Sequence, residues 1–325
     1  MKKRKLGRTD LYVSELNLNT DTFGWFADQA ESFALLDSYY SCGGNFIQTV
    51  AAAPDAVTFG LSDSASEHIV GRWLETRGIS RGGLVVASRL DLLRPSYGDS
   101  RAFADLMRES CESSLRRLGT THLDLLICEW DENLRPLDEV LGAADQLIRA
   151  GMVRHVAAAG SSCQPVVESL RGSPFRGHPR FEALQADYSL MDRTCFPPET
   201  IARCREHRLG FLAHSPLAGG FLTRRPRRRG FDDDWRDERF GNEAGDAVLR
   251  VLAEVADKRL ATPAQIALAW VLRHPQITSA AITPSSPREL RELVRAASTI
   301  LTPEEMTAFP SVSPWHASPA HLQHV

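Results

Sequence analysis

Short apolar runs of strand length alternate with longer amphipathic stretches along almost the whole chain: NFIQT then EHIVGRWLETRG, LVVAS then DLMRESCESSLRRLG, LDLLIC then LDEVLGAADQLIRAG. The alternation continues through VRHVAAAG, ALQADYSL with PETIARCREHRLG, FLAHS, and ITSAAI with PRELRELVRAAS. A strand followed by a helix, many times over, points to one packing: a parallel sheet covered by helices. Eight candidate strands, near residues 18, 47, 86, 126, 156, 185, 212 and 281, favour an α/β fold of the (β/α)8 TIM-barrel type over an open sheet. Gly43, Gly78, Gly119, Gly151 and Gly210 follow the amphipathic stretches, where a helix commonly ends on a left-handed residue. Turn signals at Gly7 and Asp10 predict an N-terminal β-hairpin that plugs the barrel floor. Residues 218–245, rich in Gly, Arg and Asp, are the longest stretch without regular patterning and predict a loop over the barrel mouth. With no repeat beyond this period and no low-complexity linker, residues 1–325 are expected to form a single domain.

Composition narrows the function classes. With 43% hydrophobic and 24% charged residues among 325, the chain can bury a large core. A net charge of -3 gives no reason to expect nucleic-acid or anionic-membrane binding. The basic run Arg224–Arg229 is followed at once by Asp232, Asp233 and Asp234, a self-neutralising solvated loop. Six cysteines show neither CxxC nor Cys/His ligand spacing, so free thiols are expected and no metal site. The basic start MKKRKLGRTDLYVSEL lacks an apolar core, and no run reaches the ~18 apolar residues of a membrane span. The expected setting is cytoplasmic.

The blocks KLGRTDLYVSEL, GGNFI, SEHIVGRWL, CESSLRRLGTTHLDLL, LQADYSL, SPLAGGFLT and TPAQIALAWVLRHP resemble, in order and spacing, the aldo-keto reductase superfamily, in its bacterial branch related to potassium-channel β subunits. The similarity runs from about residue 4 to about residue 308. It implies a barrel with its site at the C-terminal strand ends and a chemistry that pairs a hydride from NAD(P)H with a proton from a Tyr, tuned by Lys and Asp and oriented by His. At those tetrad positions this chain carries Gln48 for Asp, Ala53 for Tyr, Arg89 for Lys and Glu129 for His. Alanine has no proton to give. Arginine keeps its charge far above neutral pH, and a carboxylate repels an oxygen gaining negative charge.

The resemblance also marks the cofactor positions. Asn19 stands where family members carry a backbone surface, Ala159 and Gly160 replace the Ser-Asn pair that holds the nicotinamide amide, and His214 replaces the aromatic that stacks on the ring. Gln185 is kept, and SPLAGGFLT, with Ser215, Leu217 and Gly219, keeps the loop that cradles the pyrophosphate. Thr283, Ser285, Glu289 and Leu293 replace Gly, Arg, Gln and Asn of the phosphate-binding pattern, and a carboxylate at 289 is unfavourable for NADP. No cofactor is therefore expected, and NAD(P) binding is doubtful.

By alignment the mouth holds Asn19, Asp21, Gln48, Arg89, Glu129, Trp130, Asp131, Gln185 and His214. Glu129, Arg89 and Asp21 are the candidate catalytic groups, either as an acid/base set or, for Arg89 and Glu129, as an ion pair that merely satisfies itself. Asn19, Gln48, Trp130 and His214 are candidate pocket residues. Asp187 and Asp192, around Tyr188, read as loop and helix-cap residues, and Cys128 as core. The expected function is non-redox acid/base chemistry, of lyase, isomerase, dehydratase or cyclase type, on a small secondary-metabolite-like molecule. Two alternatives stay open: a non-catalytic protein binding a ligand, a protein partner or its own copy, and an atypical NAD(P)-dependent oxidoreductase.

Overall fold

Side chains along each barrel strand alternate between two apolar layers, and that alternation positions everything at the mouth. The computed structural model describes residues 1–51, 64–92, 103–131, 133, 135–160, 166, 177, 179–223 and 234–312. A short antiparallel hairpin, β1 (Lys3–Lys5) and β2 (Tyr12–Ser14), precedes the barrel. Eight strands then follow: β3 (Leu16–Asn19), β4 (Phe46–Val50), β5 (Val85–Asp91), β6 (Leu123–Glu129), β7 (Val153–Ala159), β8 (Ala183–Asp187), β9 (Gly210–His214) and β10 (Ile277–Ile282). All eight pair in parallel, each with its neighbour in sequence, and β10 closes on β3 through Ala280–Leu16, Ala281–Asn17 and Ile282–Leu18. This is the expected (β/α)8 barrel.

Phe46, Val85, Ala87, Leu125, Ile127, Ala157, Ala183 and Leu212 face the lumen and pack with Leu6, Leu11 and Val13 of the hairpin. The hairpin therefore closes the floor, as expected. The alternate residues Ile47, Val86, Leu126, Cys128, Val156, Leu184 and Phe211 face outward and join the helices in a second core. Cys128 is core on this outer side, and burial raises its thiol pKa to about 12. Beneath the barrel, Arg154 links Asp10 of the hairpin turn (2.5 Å) to the buried Asp124 (2.8 Å), tying plug to wall.

Helix boundaries follow local chemistry. The helix Gln29–Ser41 opens on a capping box between Asp28 and Glu31, and Pro263–Arg273 on one between Thr262 and Gln265. Gly43, Gly78, Gly119 and Gly151 adopt the expected positive φ. Gly210 does not, because it is the first residue of β9. A Cβ there would lie 3.0 Å from Leu6 Cδ1 and 3.3 Å from Ala183 Cβ, so a larger residue would press on the plug. The left-handed residue after the helix Pro198–Glu206 is Arg208, at φ 50°.

The 218–245 stretch is not the uninterrupted loop expected from composition. It contains a 3-10 segment Ala218–Thr223, a helix Asp234–Phe240 and the start of the helix Glu243–Arg259, with residues 224–233 outside the described residues. Glycine and arginine counts miss this because Gly219 and Gly220 serve one tight turn while Gly245 lies within a helix. Among the described residues no helix is long and apolar enough to cross a membrane.

Two stability predictions follow from these observations. Leu260 caps the helix Glu243–Arg259 in the left-handed conformation (φ 50°, ψ 39°) while 99% exposed, so its side chain pays strain without packing. Leu260→Gly is expected to raise stability by about 1 kcal/mol, seen as a higher urea midpoint at unchanged slope. Glu67, fully buried, accepts from Arg117 Nε (2.7 Å) and Ser88 Oγ (2.6 Å), so Glu67→Ala should cost about 3–5 kcal/mol by stranding the Arg117 charge, and Arg117→Met in the same chain should recover part of it.

Candidate functional site

The mouth is built from inward residues near the C-terminal end of each strand. On β3, Asn17 and Asn19 alternate inward while Leu16 and Leu18 join the outer core. Asn19 is buried, its Nδ2 donates to Asp21 Oδ2 at 2.9 Å, and its Oδ1 is a buried acceptor without a partner among the described residues. Asp21 itself is exposed at the rim.

Gln48 and Gln185 sit on β4 and β8, four strands apart in the closed order and so on opposite walls. Their amides meet across the lumen, with Gln185 Nε2 donating to Gln48 Oε1 (2.7 Å) and Gln48 Nε2 to Gln185 Oε1 (3.3 Å). This buried pair is the polar floor of the mouth. Each amide keeps a second N–H and lone pair for a ligand above it.

Arg89 and Glu129, on β5 and β6, form the expected ion pair, Nε to Oε2 at 3.7 Å, with side chains 23% and 31% exposed. At that length and exposure the pair is worth roughly 0–1 kcal/mol, so it does not lock either group. Trp130 departs from its expected place as a pocket wall. It is buried, its indole Nε1 donates to Arg135 O (2.8 Å), and its ring packs near Phe181. The crevice it lines with Ala159, Gly160 and Gln185 has no room for a water molecule. Trp130 is thus a packing residue whose polar edge is satisfied by backbone. Ala53 lies outside the described residues.

The opposite wall holds a residue that sequence reasoning placed elsewhere. Asp187 is the last residue of β8 and the register partner of His214 on β9. Its Oδ1 lies 3.0 Å from His214 Nδ1, and Ser215 Oγ lies 3.0 Å from the same nitrogen. Burial acts to raise the Asp187 carboxyl, but the hydrogen bond and charge of His214, the Ser215 hydroxyl and the nearby Arg239 outweigh it and hold the carboxyl below its usual range. The signal was present in the period of two: Ala183, Gln185 and Asp187 share one face of the strand. Asp192 does read as a turn residue, accepting from Thr194 N at 2.9 Å.

Immediately after His214 the backbone takes an unusual path. Ser215 (φ 45°), Ala218 (φ 52°), Gly219 (φ 63°) and Gly220 (φ 103°) all adopt positive φ, with Ala218 N bonded to Ser215 O (2.8 Å) and Gly220 N to Leu217 O (3.0 Å). Non-glycine residues rarely hold such a conformation unless the surroundings fix it, and such sites cluster at ligand clamps. Farther round, Glu289 Oε2 accepts from Ser285 N (2.9 Å) and from Ser285 Oγ, so its carboxylate covers the start of the helix Pro287–Ala296. Leu293, by contrast, is buried in the outer core. Among the described residues no three His, Cys, Asp or Glu side chains are placed to hold a metal ion.

Residues 16–313 match the Aldo/keto reductase family. Similar proteins over nearly the full length include the uncharacterised oxidoreductase YrpG of Bacillus subtilis, 28% identical and covering 95% of both chains. The NADH-specific methylglyoxal reductase of Escherichia coli is 26% identical over 94% of this chain and 97% of its own. A probable voltage-gated potassium channel subunit beta of Arabidopsis thaliana is 25% identical over 93% and 94%. Among solved structures, a thermostable aldo-keto reductase in complex with the inhibitor epalrestat superposes with TM-score 0.74 at 23% identity, covering 96% of this chain and all of that one.

These matches overturn two expectations. The chain is expected from its residues to have left redox chemistry and to need no cofactor, yet the family is one of aldo/keto reductases, one relative is named an oxidoreductase and another an NADH-specific reductase. The physical error lay in treating substituted side chains at the tetrad and cofactor positions as the whole apparatus. In the chemistry of this family the hydride comes from the dinucleotide, and loss of a general acid removes typically 10²–10⁴ in rate rather than the reaction itself. The family match spans most of the barrel, its closing strand pair and its mouth, and this chain belongs to the Aldo/keto reductase family.

Proposed function

We propose that the chain is an oxidoreductase that uses a nicotinamide dinucleotide on a small carbonyl compound or its alcohol, with a proton donor other than the family's tyrosine. The observation that carries this reading is the Ser215–Thr223 turn at the end of β9, where Ser215, Ala218, Gly219 and Gly220 all take positive φ directly after the inward His214. Such backbone nests favour phosphate oxygens. The buried, unpartnered Asn19 Oδ1 supports the same reading, since it needs a donor such as a carboxamide N–H or a substrate hydroxyl. When bound, the reduced nicotinamide supplies a hydride.

The chain's own groups then carry the remaining tasks. Arg89, loosely paired, exchanges Glu129 for a substrate oxygen and stabilises its growing negative charge, while Glu129 balances the guanidinium when the mouth is empty. Asp21 orients the Asn19 amide. Glu129, Arg89 and Asp21 are in this sense the altered part of the site, which makes the enzyme a non-standard member. Residues 1–325 are read as one domain acting on a small molecule, and the free thiols of Cys42, Cys111, Cys128, Cys195 and Cys204 support a cytoplasmic setting.

The residues fit one end of the dinucleotide better than the other. Glu289, folded over Ser285 at a helix start, sets a carboxylate where family members neutralise a 2′-phosphate, which favours NADH over NADPH. The name of the E. coli relative, NADH-specific methylglyoxal reductase, agrees. Titration by calorimetry and tryptophan quenching is expected to show NADH binding about tenfold or more tighter than NADPH, about 1.4 kcal/mol. Glu289→Arg should narrow or reverse that ratio. Binding of neither nucleotide sinks the oxidoreductase reading, and tighter NADPH binding by the parent sinks the part assigned to Glu289.

A further inference from the structure

The two edges of the floor hairpin differ in what covers them. Glu15 N donates to Lys2 O (3.0 Å) and Leu6 N to Leu11 O (3.0 Å), so these are hydrogen-bonded pairs of the ladder, and Arg4–Val13, midway between them in the same register, is a third. Lys3–Ser14 and Lys5–Tyr12 are then the alternate pairs, whose backbone N–H and C=O groups point away from the partner strand. On β2 these outward groups are taken up: Ser14 N donates to Asn45 Oδ1 (2.7 Å), Asn45 Nδ2 to Tyr12 O (2.9 Å) and Ser279 Oγ to Ser14 O (2.8 Å). On β1 no described residue bonds the N–H or C=O of Lys3 or Lys5, and both residues are exposed. Among the described strands β1 pairs with β2 alone.

Charge at this edge is one-sided. Glu15 is paired with Arg4 at 3.1 Å, Asp10 with Arg154 at 2.5 Å and Glu182 with Arg180 at 3.3 Å. The exposed side chains of Lys2, Lys3, Lys5 and Arg8 have no ion-pair partner among the described residues. The period of two turns Arg4 toward the barrel, where its guanidinium donates to Leu272 O (2.9 Å) and Ile277 O (2.6 Å), and turns Lys3 and Lys5 to the opposite face. Tyr12, the register partner of Lys5, is the large apolar side chain exposed on the hairpin, too little apolar area to enter a bilayer.

These features decide among occupants. A second copy pairing through the same edge sets lysines opposite lysines, a destabilising arrangement. Nucleic acid has no peptide groups to continue a ladder. We propose that β1 is a docking edge for an extended acidic segment of a partner protein, which adds as a third strand to the hairpin. Residues directly opposite one another on paired strands share a face, so carboxylates at i and i+2 of the incoming segment meet Lys3 and Lys5 while its main chain bonds their outward N–H and C=O groups. The lysines thus admit an acidic strand and reject a copy of their own. The hairpin closes the floor of the barrel, opposite the mouth, so the segment docks without covering the candidate site.

The test uses the full chain and a fluorescein-labelled peptide of sequence TEVEVET, followed by fluorescence anisotropy, with hydrogen exchange read at the Lys3 and Lys5 amides. Expected are saturable binding and slowed exchange of both amides. Binding should weaken about tenfold or more in the Lys3→Glu, Lys5→Glu double variant, and equally for the same peptide with N-methylated backbone amides. Because both side chains lie on an exposed face, the double variant should keep the parent's urea midpoint. If it does not fold, the N-methylated comparison on the parent decides alone. Undiminished binding of the N-methylated peptide would show charge attraction without strand pairing and would overturn the proposal. Equal binding of a TKVKVKT peptide, or no binding of TEVEVET, overturns it as well. So does lysine-dependent binding of phosphatidylserine vesicles by a parent that ignores the peptide, which would reassign the surface to a membrane.

Discussion

Ring closure between β10 and β3 is the constraint on which the rest of this molecule depends. Three register pairs, Ala280–Leu16, Ala281–Asn17 and Ile282–Leu18, join the last strand to the first barrel strand. They remove both sheet edges and fix which side chains look inward on every strand between. Given that closure, the lumen needs a floor, and the hairpin supplies Leu6, Leu11 and Val13 to it. The opposite end needs no such plug, and polar residues accumulate there. The division between an apolar bottom and a polar top is thus a consequence of topology, which sends all strand C-termini to one rim.

Three of the polar pairs within that rim differ in strength. The Gln48–Gln185 amides are buried and mutually satisfied, so they are a rigid floor. Asp187 and His214 are register partners whose contact is set by strand pairing rather than by flexible side chains. Arg89 and Glu129 are longer side chains held farther apart, at 3.7 Å, and exchange partners most readily. A site in which a fixed floor and a fixed dyad face one loose cation is suited to receiving an oxygen that gains charge during reaction.

Much of this was legible in the residues. The strand centres, the hairpin, the outward Cys128 and the Arg89–Glu129 pair follow from the period of two and from chain order. What was not legible shares a cause: it depended on a contact between distant segments. Asp187 looks like a loop residue until Gln185 is placed inward, after which its partner is fixed by the β8–β9 register. Gly210 looks like a helix terminator, but it opens β9 and the close approach of Leu6, two hundred residues earlier, leaves little room for a side chain. Trp130 looks like a pocket wall because it follows Glu129, yet Arg135 lies within reach of its indole nitrogen and turns it into packing. Composition misjudged 218–245 in the same way, since Asp234–Phe240 is helical despite its charged neighbourhood.

The deeper misreading was functional, and it has a physical lesson. Counting substitutions at four aligned positions treats catalysis as the property of particular side chains, whereas the reaction requires roles: an anchored dinucleotide, a donor for the oxygen, and a cation or dipole for developing charge. Anchoring draws largely on backbone, which side-chain comparison scarcely samples. Several strands present inward polar residues to the same volume, Asp187 and His214 on β8 and β9 and Gln48 and Arg89 on β4 and β5. The barrel that holds them is fixed by strand pairing rather than by any one of these side chains, so substitution at the second-strand positions does not by itself argue for abandonment of the hydride.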